Sequence, residues 1–337
     1  AVAEEIGVLL RSTGRVRRGI GTIREDLNVS TLGGARVEIK GVQDLRKIHQ
    51  YTGHEVERQE LLIAITAELR SRGATVPDSP AKEVSQLLRA SSDGPITRAL
   101  RGGGAVLGLG LPGFGGLLRS REGSTERLGR ELADYARSAG VKGLLHSDEL
   151  PSQGIDESIA QKLRATLGAT ASTDAFVLVA AATASVARTG LEAVRRRAQI
   201  ALDGIPPETR DPLPDGTTRY SRPLPGRDRM YPETDVPPVA ISTTLLEVVR
   251  AGLPERPELA RARLVAEHKL SEELARQIQR AGATDRFLEL VKRGHPASGV
   301  ARVLTQELAS LENSLPDWEA DRISVETLDA LLTAVEW

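Results

Sequence analysis

Cysteine is absent from all 337 residues, which excludes disulfide bridges, thiolate metal sites and a thiol nucleophile. The same absence accords with a reducing, cytoplasmic setting. Aromatic side chains are scarce at 3%, which argues against recognition built mainly on stacking against splayed bases. Neither sign of charge dominates: 45 Lys and Arg stand against 46 Asp and Glu, a formal charge of -1. An anionic partner must therefore be met by local patches and not by a global basic field. Long hydrophobic runs are missing too. The most apolar stretch, residues 175–187, is short and alanine-rich and reads as a buried core segment, not a membrane span, and no signal peptide is visible. Methionine occurs once, at Met230, and the chain opens at Ala1 within a helical pattern, so a fragment of a longer protein is expected.

What is present is length enough for two or three domains with cores of their own. The most informative stretch is residues 17–45, RRGIGTIREDLNVSTLGGARVEIKGVQDL. Two β-branched runs flank Gly33-Gly34, a pair that can supply the positive φ angles of a tight hairpin turn. Apolar and polar residues alternate along both runs. One face can therefore cover a core while the other presents Arg24, Asp26, Asn28, Arg36, Glu38 and Lys40, in a register that the sequence leaves open. Acids, an amide and bases on adjoining strands can position a divalent cation and a phosphorylated substrate. They equally make a solvated face whose charges pair across strands, and on pattern alone that is the commoner outcome.

Around this hairpin the rest is read in turn. Residues 43–72 form a long helix, with Leu45, Ile48, Val56, Leu61, Ile63 and Ile65 as the apolar stripe and its Glu and Arg residues outward. His49 and His54 lie on it without acidic partners at metal spacing. A Pro, Ser and Asp-rich boundary spans 73–94, with a short helix at 81–90. Residues 95–210 read as one α+β unit: a strand at 105–111, helices at 126–139 and 157–167, a buried strand at 175–182 and a helix at 185–202. Its glycine runs at 102–104 and 108–116 match no nucleotide fingerprint, so turns and close packing account for them. His146-Ser147-Asp148-Glu149 reads as a loop capping the following helix. Arg195-Arg196-Arg197, like Arg15, Arg17 and Arg18, reads as a solvated face, the commoner outcome, or as a contact to phosphate. Residues 223–238 are a proline-rich loop holding Arg227 and Arg229, with Arg219 and Arg222 just before it. From residue 255 onward, leucines recur at helical spacing.

The runs GTIREDLNVS, GGARVEIKGVQDL and EVERQELL, with TTRYSRPLPG at 217–226 and RMYPETDVPP at 229–238, resemble the cradle domain of tRNA-dependent amidotransferases. Between them GGG at 102–104, LPGF at 111–114 and HSDELP at 146–151 resemble the insertion shared with bacterial-type aspartyl-tRNA synthetases. Cradle plus insertion is similar to the archaeal GatE family of glutamyl-tRNA(Gln) amidotransferase subunits. The resemblance implies an α+β chain with a partial β-rich cradle at 1–75, an inserted α+β domain at 95–210, a cradle return at 215–252 and a helical domain at 253–337. It implies a ligase subunit that converts Glu-tRNA(Gln) to Gln-tRNA(Gln) with ATP and Mg2+, using ammonia from an asparaginase-like (GatD-type) glutaminase partner. Carried onto this chain, Glu38 is the metal-associated carboxylate, Lys40, Asp26 and Asn28 complete the catalytic set, and Arg24, Arg229 and Tyr231 contact the nucleotide or tRNA. The family's remaining metal-site residues, a Glu-x-His and a Glu-Glu pair, have no counterpart ahead of the hairpin, so the chain alone is expected to be inactive. The other functional reading is a non-catalytic tRNA-binding or docking module resting on Arg219, Arg222 and Arg229.

Overall fold

A computed structural model describes residues 2–17, 22–89, 94–119, 127–152, 154–224, 239–315, 318 and 320–335. Helix α1 (Val2–Ser12) precedes strands β1 (Leu27–Val29) and β2 (Val37–Ile39), helix α2 (Ile48–Ser71) and strand β3 (Lys82–Glu83). Next come α3 (Pro95–Arg101), β4 (Ala105–Leu111), α4 (Leu128–Ser138), β5 (Leu145–His146), α5 (Glu157–Leu167), β6 (Ala175–Ala181), α6 (Ala184–Asp203), β7 (Glu208–Pro212) and β8 (Thr218–Pro223). The remainder is helical: α7 (Thr243–Ala251), α8 (Pro257–His268), α9 (Glu272–Arg280), α10 (Thr284–Lys292), α11 (Ala297–Arg302), α12 (Leu308–Ser314) and α13 (Val325–Ala334). The chain is thus a mixture of α and β structure, and it forms two compact units, Arg24–Thr234 and Ala1–Ile23 with Asp235–Trp337.

The unit Arg24–Thr234 holds two four-stranded sheets, ordered β1-β2-β7-β8 and β3-β4-β6-β5. In the first, β1 and β2 are antiparallel, β2 and β7 parallel, and β7 and β8 antiparallel. Strand β7 therefore pairs with a strand about 170 residues earlier in the chain, a pairing that local pattern does not announce. The expected tight diglycine turn is not what links β1 to β2. The strands end at Val29 and resume at Val37, and the intervening loop is held from beneath by the buried Gln59 of α2. Its Oε1 accepts from the Thr31 amide at 3.3 Å, the Thr31 hydroxyl at 3.1 Å and the Ala35 amide at 3.3 Å, while its Nε2 donates to the Ala35 carbonyl at 3.1 Å. Of the two glycines only Gly33 takes a positive φ, 79°. Gly34 serves a different need, since a Cβ there would meet Gln59 Oε1 at 2.1 Å.

Strands β4 and β6 run antiparallel through the second sheet and are covered on both sides. Leu107, Leu109, Leu111, Val177 and Val179 enter a core shared with α2, α4 and α6. Val106, Phe176 and Leu178 enter another with Leu88, Ile159 and Leu163. Two-sided burial explains why both strands read as continuous apolar runs. Their glycines reflect close packing: a Cβ on Gly110 would stand 2.2 Å from the Leu167 carbonyl oxygen at the end of α5. Helix α5 is capped by Asp156, whose carboxylate accepts from the Ile159 amide at 2.8 Å. The cap expected from residues 146–149 is thus displaced. His146 and Ser147 are buried instead, and Ser147 Oγ accepts from the Phe176 amide at 3.1 Å. Residues 82–88 likewise hold a two-residue strand and a short 3-10 turn where a helix over 81–90 is expected.

In the unit Ala1–Ile23 with Asp235–Trp337, the leucine spacing does its expected work. Leu264, Ile278, Phe287, Val300, Leu304, Leu328 and Leu332 form one core. Ser271 and Ser324 cap α9 and α13 by accepting from the Leu274 and Thr327 amides. Helix α1, grouped by its position with the hairpin in a 1–75 domain, lies in this unit, with Arg11 donating to the Arg280 carbonyl and Glu4 paired to Arg280.

Candidate functional site

The first sheet separates its polar residues into two populations by strand alternation alone. On the outward face the register aligns Asn28 with Glu38, Glu38 with Thr209, and Thr209 with Arg222, a row that crosses all four strands. Lys40 is the hub of the next position. Its ammonium lies 3.2 Å from Asp26 Oδ2 and 3.3 Å from Glu38 Oε1, and the other oxygen of Glu38 accepts from the Thr209 hydroxyl at 3.2 Å. Asp26 Oδ1 accepts from the Gly41 amide at 2.8 Å. Partial burial works against the Asp26 carboxylate, but the Gly41 amide, Lys40 and Arg24 outweigh it and lower its pKa. Burial also works against the Lys40 ammonium, and Asp26 and Glu38 override it to raise the pKa. The result is a partly exposed triad, Lys40 between Asp26 and Glu38, braced by the buried Thr209 hydroxyl.

Asp26, Asn28, Glu38 and Lys40, the residues expected from the sequence, are thus brought together, with Arg24 alongside. Arg229 and Tyr231 lie outside the described residues. Thr209 escapes a reading of the sequence because nothing before β7 signals that this strand sits beside Glu38; only the register reveals it.

The inward face of the same sheet carries Glu208 and Arg210, both fully buried. Here the expected outward placement of the α2 charges, and of Arg197, is corrected. Glu55 and Arg58 occupy the buried face of α2 with Tyr51, Gln59, Leu62, Ile65 and Leu69, and Arg197 of α6 is also fully buried. Arg58 donates to Glu55 at 2.8 Å and to Glu131 at 2.8 Å. Arg197 donates to Glu131 at 3.0 Å, Arg210 reaches the other Glu131 oxygen at 3.1 Å, and Arg210 also pairs with Glu208. The Tyr135 hydroxyl donates to Glu208 at 2.8 Å, and its ring stacks on Tyr220 at 3.9 Å. Three carboxylates, of Glu55, Glu131 and Glu208, thereby balance three guanidiniums, of Arg58, Arg197 and Arg210. Desolvation alone would raise the Glu131 pKa, but Arg210, Arg58 and Arg197 hold it well below the carboxylate range. Burial, together with Glu131, pushes the Asp134 pKa up. Charges balanced this closely are an internal brace, since no ligand can reach them without breaking them apart.

The donor set of the outward face does not by itself fit Mg2+, which takes near-octahedral oxygen coordination at about 2.0–2.1 Å. Among the described residues no group of three or more His, Cys, Asp or Glu side chains converges, and the Lys40 ammonium fills the gap between Asp26 and Glu38. A separate depression of about 960 Å³ lies on the second sheet, lined in part by Arg98, Arg137 and residues 140–145, and none of the outward-face residues line it. No described helix is long and apolar enough to cross a membrane.

Comparison with known proteins places the outward face in context. The model of the GatB/GatE catalytic domain matches residues 1–247. The chain is 44% identical over 329 residues to the glutamyl-tRNA(Gln) amidotransferase E subunit of Methanopyrus kandleri, covering 97% of the chain and 50% of that protein. It is 44% identical over 317 residues to the protein of the same name from Thermococcus gammatolerans (94% and 50%), and 41% identical over 335 residues to that of Methanocaldococcus jannaschii (99% and 53%). The chain therefore spans about half the length of the curated relatives it matches. Asp26, Asn28, Glu38, Lys40, Thr209 and Arg222 all fall within the matched domain, and the chain belongs to the GatB/GatE catalytic domain family.

Proposed function

We propose that this chain is the part of a tRNA-dependent amidotransferase subunit that activates the γ-carboxylate of glutamate esterified to tRNA(Gln), with ATP as phosphoryl donor. The observation that carries the reading is the outward row itself: a Glu38–Lys40–Asp26 triad, partly exposed to solvent and braced by Thr209, within the catalytic-domain match. A carboxylate is a poor electrophile. Transfer of the terminal phosphoryl group of ATP to one of its oxygens gives an acyl phosphate and ADP. Ammonia then forms the C–N bond, the C–O bond to phosphate breaks, and one proton is lost. Lys40 supplies positive charge to offset the negative charge on the phosphate oxygens, and Asp26 and Glu38 hold the ammonium in place and charged.

Mg2+ belongs to the proposed chemistry as the usual companion of ATP phosphates. The residues in hand do not complete its site, so no step is derived through it. Glu38 contributes here as the anchor of Lys40. The ammonia is proposed to come from a GatD-type glutaminase partner in the cytoplasm.

The test is Gln-tRNA formation from Glu-tRNA(Gln), ATP and glutamine by the full-length protein with its glutaminase partner. Glu38→Gln is expected to lower turnover by about 100-fold or more while tRNA affinity stays within about twofold. Undiminished turnover sinks the reading. Loss of tRNA binding with no effect on turnover at saturating tRNA favours the docking module instead.

A further inference from the structure

Resting on that reading, we propose that Thr209 is a positioning residue of the reaction: its buried hydroxyl fixes the Glu38 carboxylate and so sets where the Lys40 ammonium rests. The reacting face is then complete only once β7 has paired with β2.

The two carboxylates of the triad are held in different ways. Asp26 takes a contact from its own hairpin, where Oδ1 accepts from the Gly41 amide at 2.8 Å. The Glu38 carboxylate is gripped at one oxygen by Lys40, at 3.3 Å, and at the other by the Thr209 hydroxyl, at 3.2 Å, and has no further hydrogen bond or ion pair among the described residues. A carboxylate held at one oxygen swings within the broad well of its last torsion. Held at both, it has one orientation. The ion pair is too exposed to impose this alone, because pairs in contact with water hold their geometry weakly. What remains is the hydroxyl, and it comes from a strand about 170 residues further along the chain.

Thr209 is 1% exposed, so little water competes for its hydroxyl, and its β-branched side chain leaves χ1 little freedom. The same burial keeps it from touching substrate. Its support is rigid on both sides. Glu208, one residue before, accepts from the Tyr135 hydroxyl at 2.8 Å, and Arg210, one residue after, donates to the Thr218 hydroxyl at 2.7 Å and the Thr218 carbonyl at 3.1 Å. The Arg210 carbonyl in turn accepts from the Lys40 amide at 3.1 Å. Strand β7 therefore holds Lys40 by its main chain and, by way of Thr209 and Glu38, by its side chain. The buried face of the strand anchors what the outward face presents.

The experiment uses the full-length protein with its glutaminase partner and compares wild type, Thr209→Val and Thr209→Ser. Gln-tRNA formation is followed against Glu-tRNA(Gln) and ATP concentration, below the thermal unfolding transition of every variant. Valine keeps the shape and the β-branching but replaces the hydroxyl with a methyl group, whereas serine keeps the hydroxyl and loses a buried methyl. Packing therefore favours the valine variant, and positioning favours the serine variant. Thr209→Val is expected to lower kcat by about tenfold with KM for both substrates within about twofold, and Thr209→Ser to stay within about threefold of wild-type kcat. Should Thr209→Val fail to fold, Thr209→Ala set against Thr209→Ser carries the same comparison. The inference is overturned by a kcat within twofold of wild type in the variant without the hydroxyl, by a serine variant no faster than that one, or by a loss confined to KM. A wild-type protein that forms no Gln-tRNA, or a Glu38→Gln variant at full turnover, defeats the proposed function. Wild type and Glu38→Gln behaving as proposed beside a fully active Thr209→Val defeats this inference alone.

Discussion

The two faces of one four-stranded sheet both carry charged groups and put them to opposite uses. On the inward face Glu208 and Arg210 are locked with Glu55, Arg58, Glu131 and Arg197 at no more than 1% exposure. On the outward face Asp26, Glu38 and Lys40 form a triad of the same chemistry with side chains 19–32% exposed. The difference lies in solvent. A desolvated ion must be matched by opposite charge inside the protein, so the inward groups are committed to one another and not to a ligand. Hydrated charges exchange partners at small cost, so the outward ones are not locked to one another.

The inward brace offers the largest effect by which to break the comparison. Glu131→Gln removes the carboxylate shared by Arg58, Arg197 and Arg210, and a loss of about 3–5 kcal/mol in urea-unfolding stability is expected. The pH dependence has a definite sign. The folded pKa of Glu131 lies below its ordinary value of 4.5, so its stabilisation is complete above that pH and lost as pH falls below it. Wild type should therefore lose stability below about pH 4.5 more steeply than Glu131→Gln does. Equal acid sensitivity would mean that the brace is not what acid undoes.

Gln59→Leu tests the joint between the two faces, because Gln59 binds the β1–β2 loop on one side and donates to Glu55 of the brace at 2.7 Å on the other. Leaving the Thr31 and Ala35 amides and Glu55 without this partner is expected to cost about 1–3 kcal/mol. Undisturbed stability in this variant would show that the hairpin is held by its strands alone.

The smallest stability effect belongs to the outward triad. Lys40→Met should change unfolding stability by less than about 1 kcal/mol, since partly exposed pairs contribute little. In the full-length protein it should nonetheless depress Gln-tRNA formation by about 100-fold, measured as turnover at saturating ATP. A variant as destabilised as Glu131→Gln would erase the distinction between the faces.

How much of this is legible in the sequence differs by region. Strand β4 and helix α5 match the residues that pattern assigns to them, because two-sided burial and a capped apolar repeat leave local signals. The helix α2 stripe does not: its buried face runs through Glu55, Arg58 and Gln59, polar residues that hydrophobic periodicity assigns outward. Arg197 departs from expectation for the same reason. The close grouping of Asp26, Glu38 and Lys40 is within reach of sequence, since these residues lie on neighbouring strands of one hairpin. Thr209 and the pairing of Arg222 with it are not, because they enter through a parallel pairing to a strand remote in the chain.

The sequence by itself determined the hairpin's alternation, the apolar strands, the helical C-terminal portion and the motifs that mark the family. Those properties depend on neighbours within a few residues, where period and composition are readable. Only the tertiary structure decided which charges are dry and which are wet, and which strand completes the outward row. Burial and register are set by elements far apart in the chain, and a glutamate is locked into a brace or left able to change partners according to what covers it.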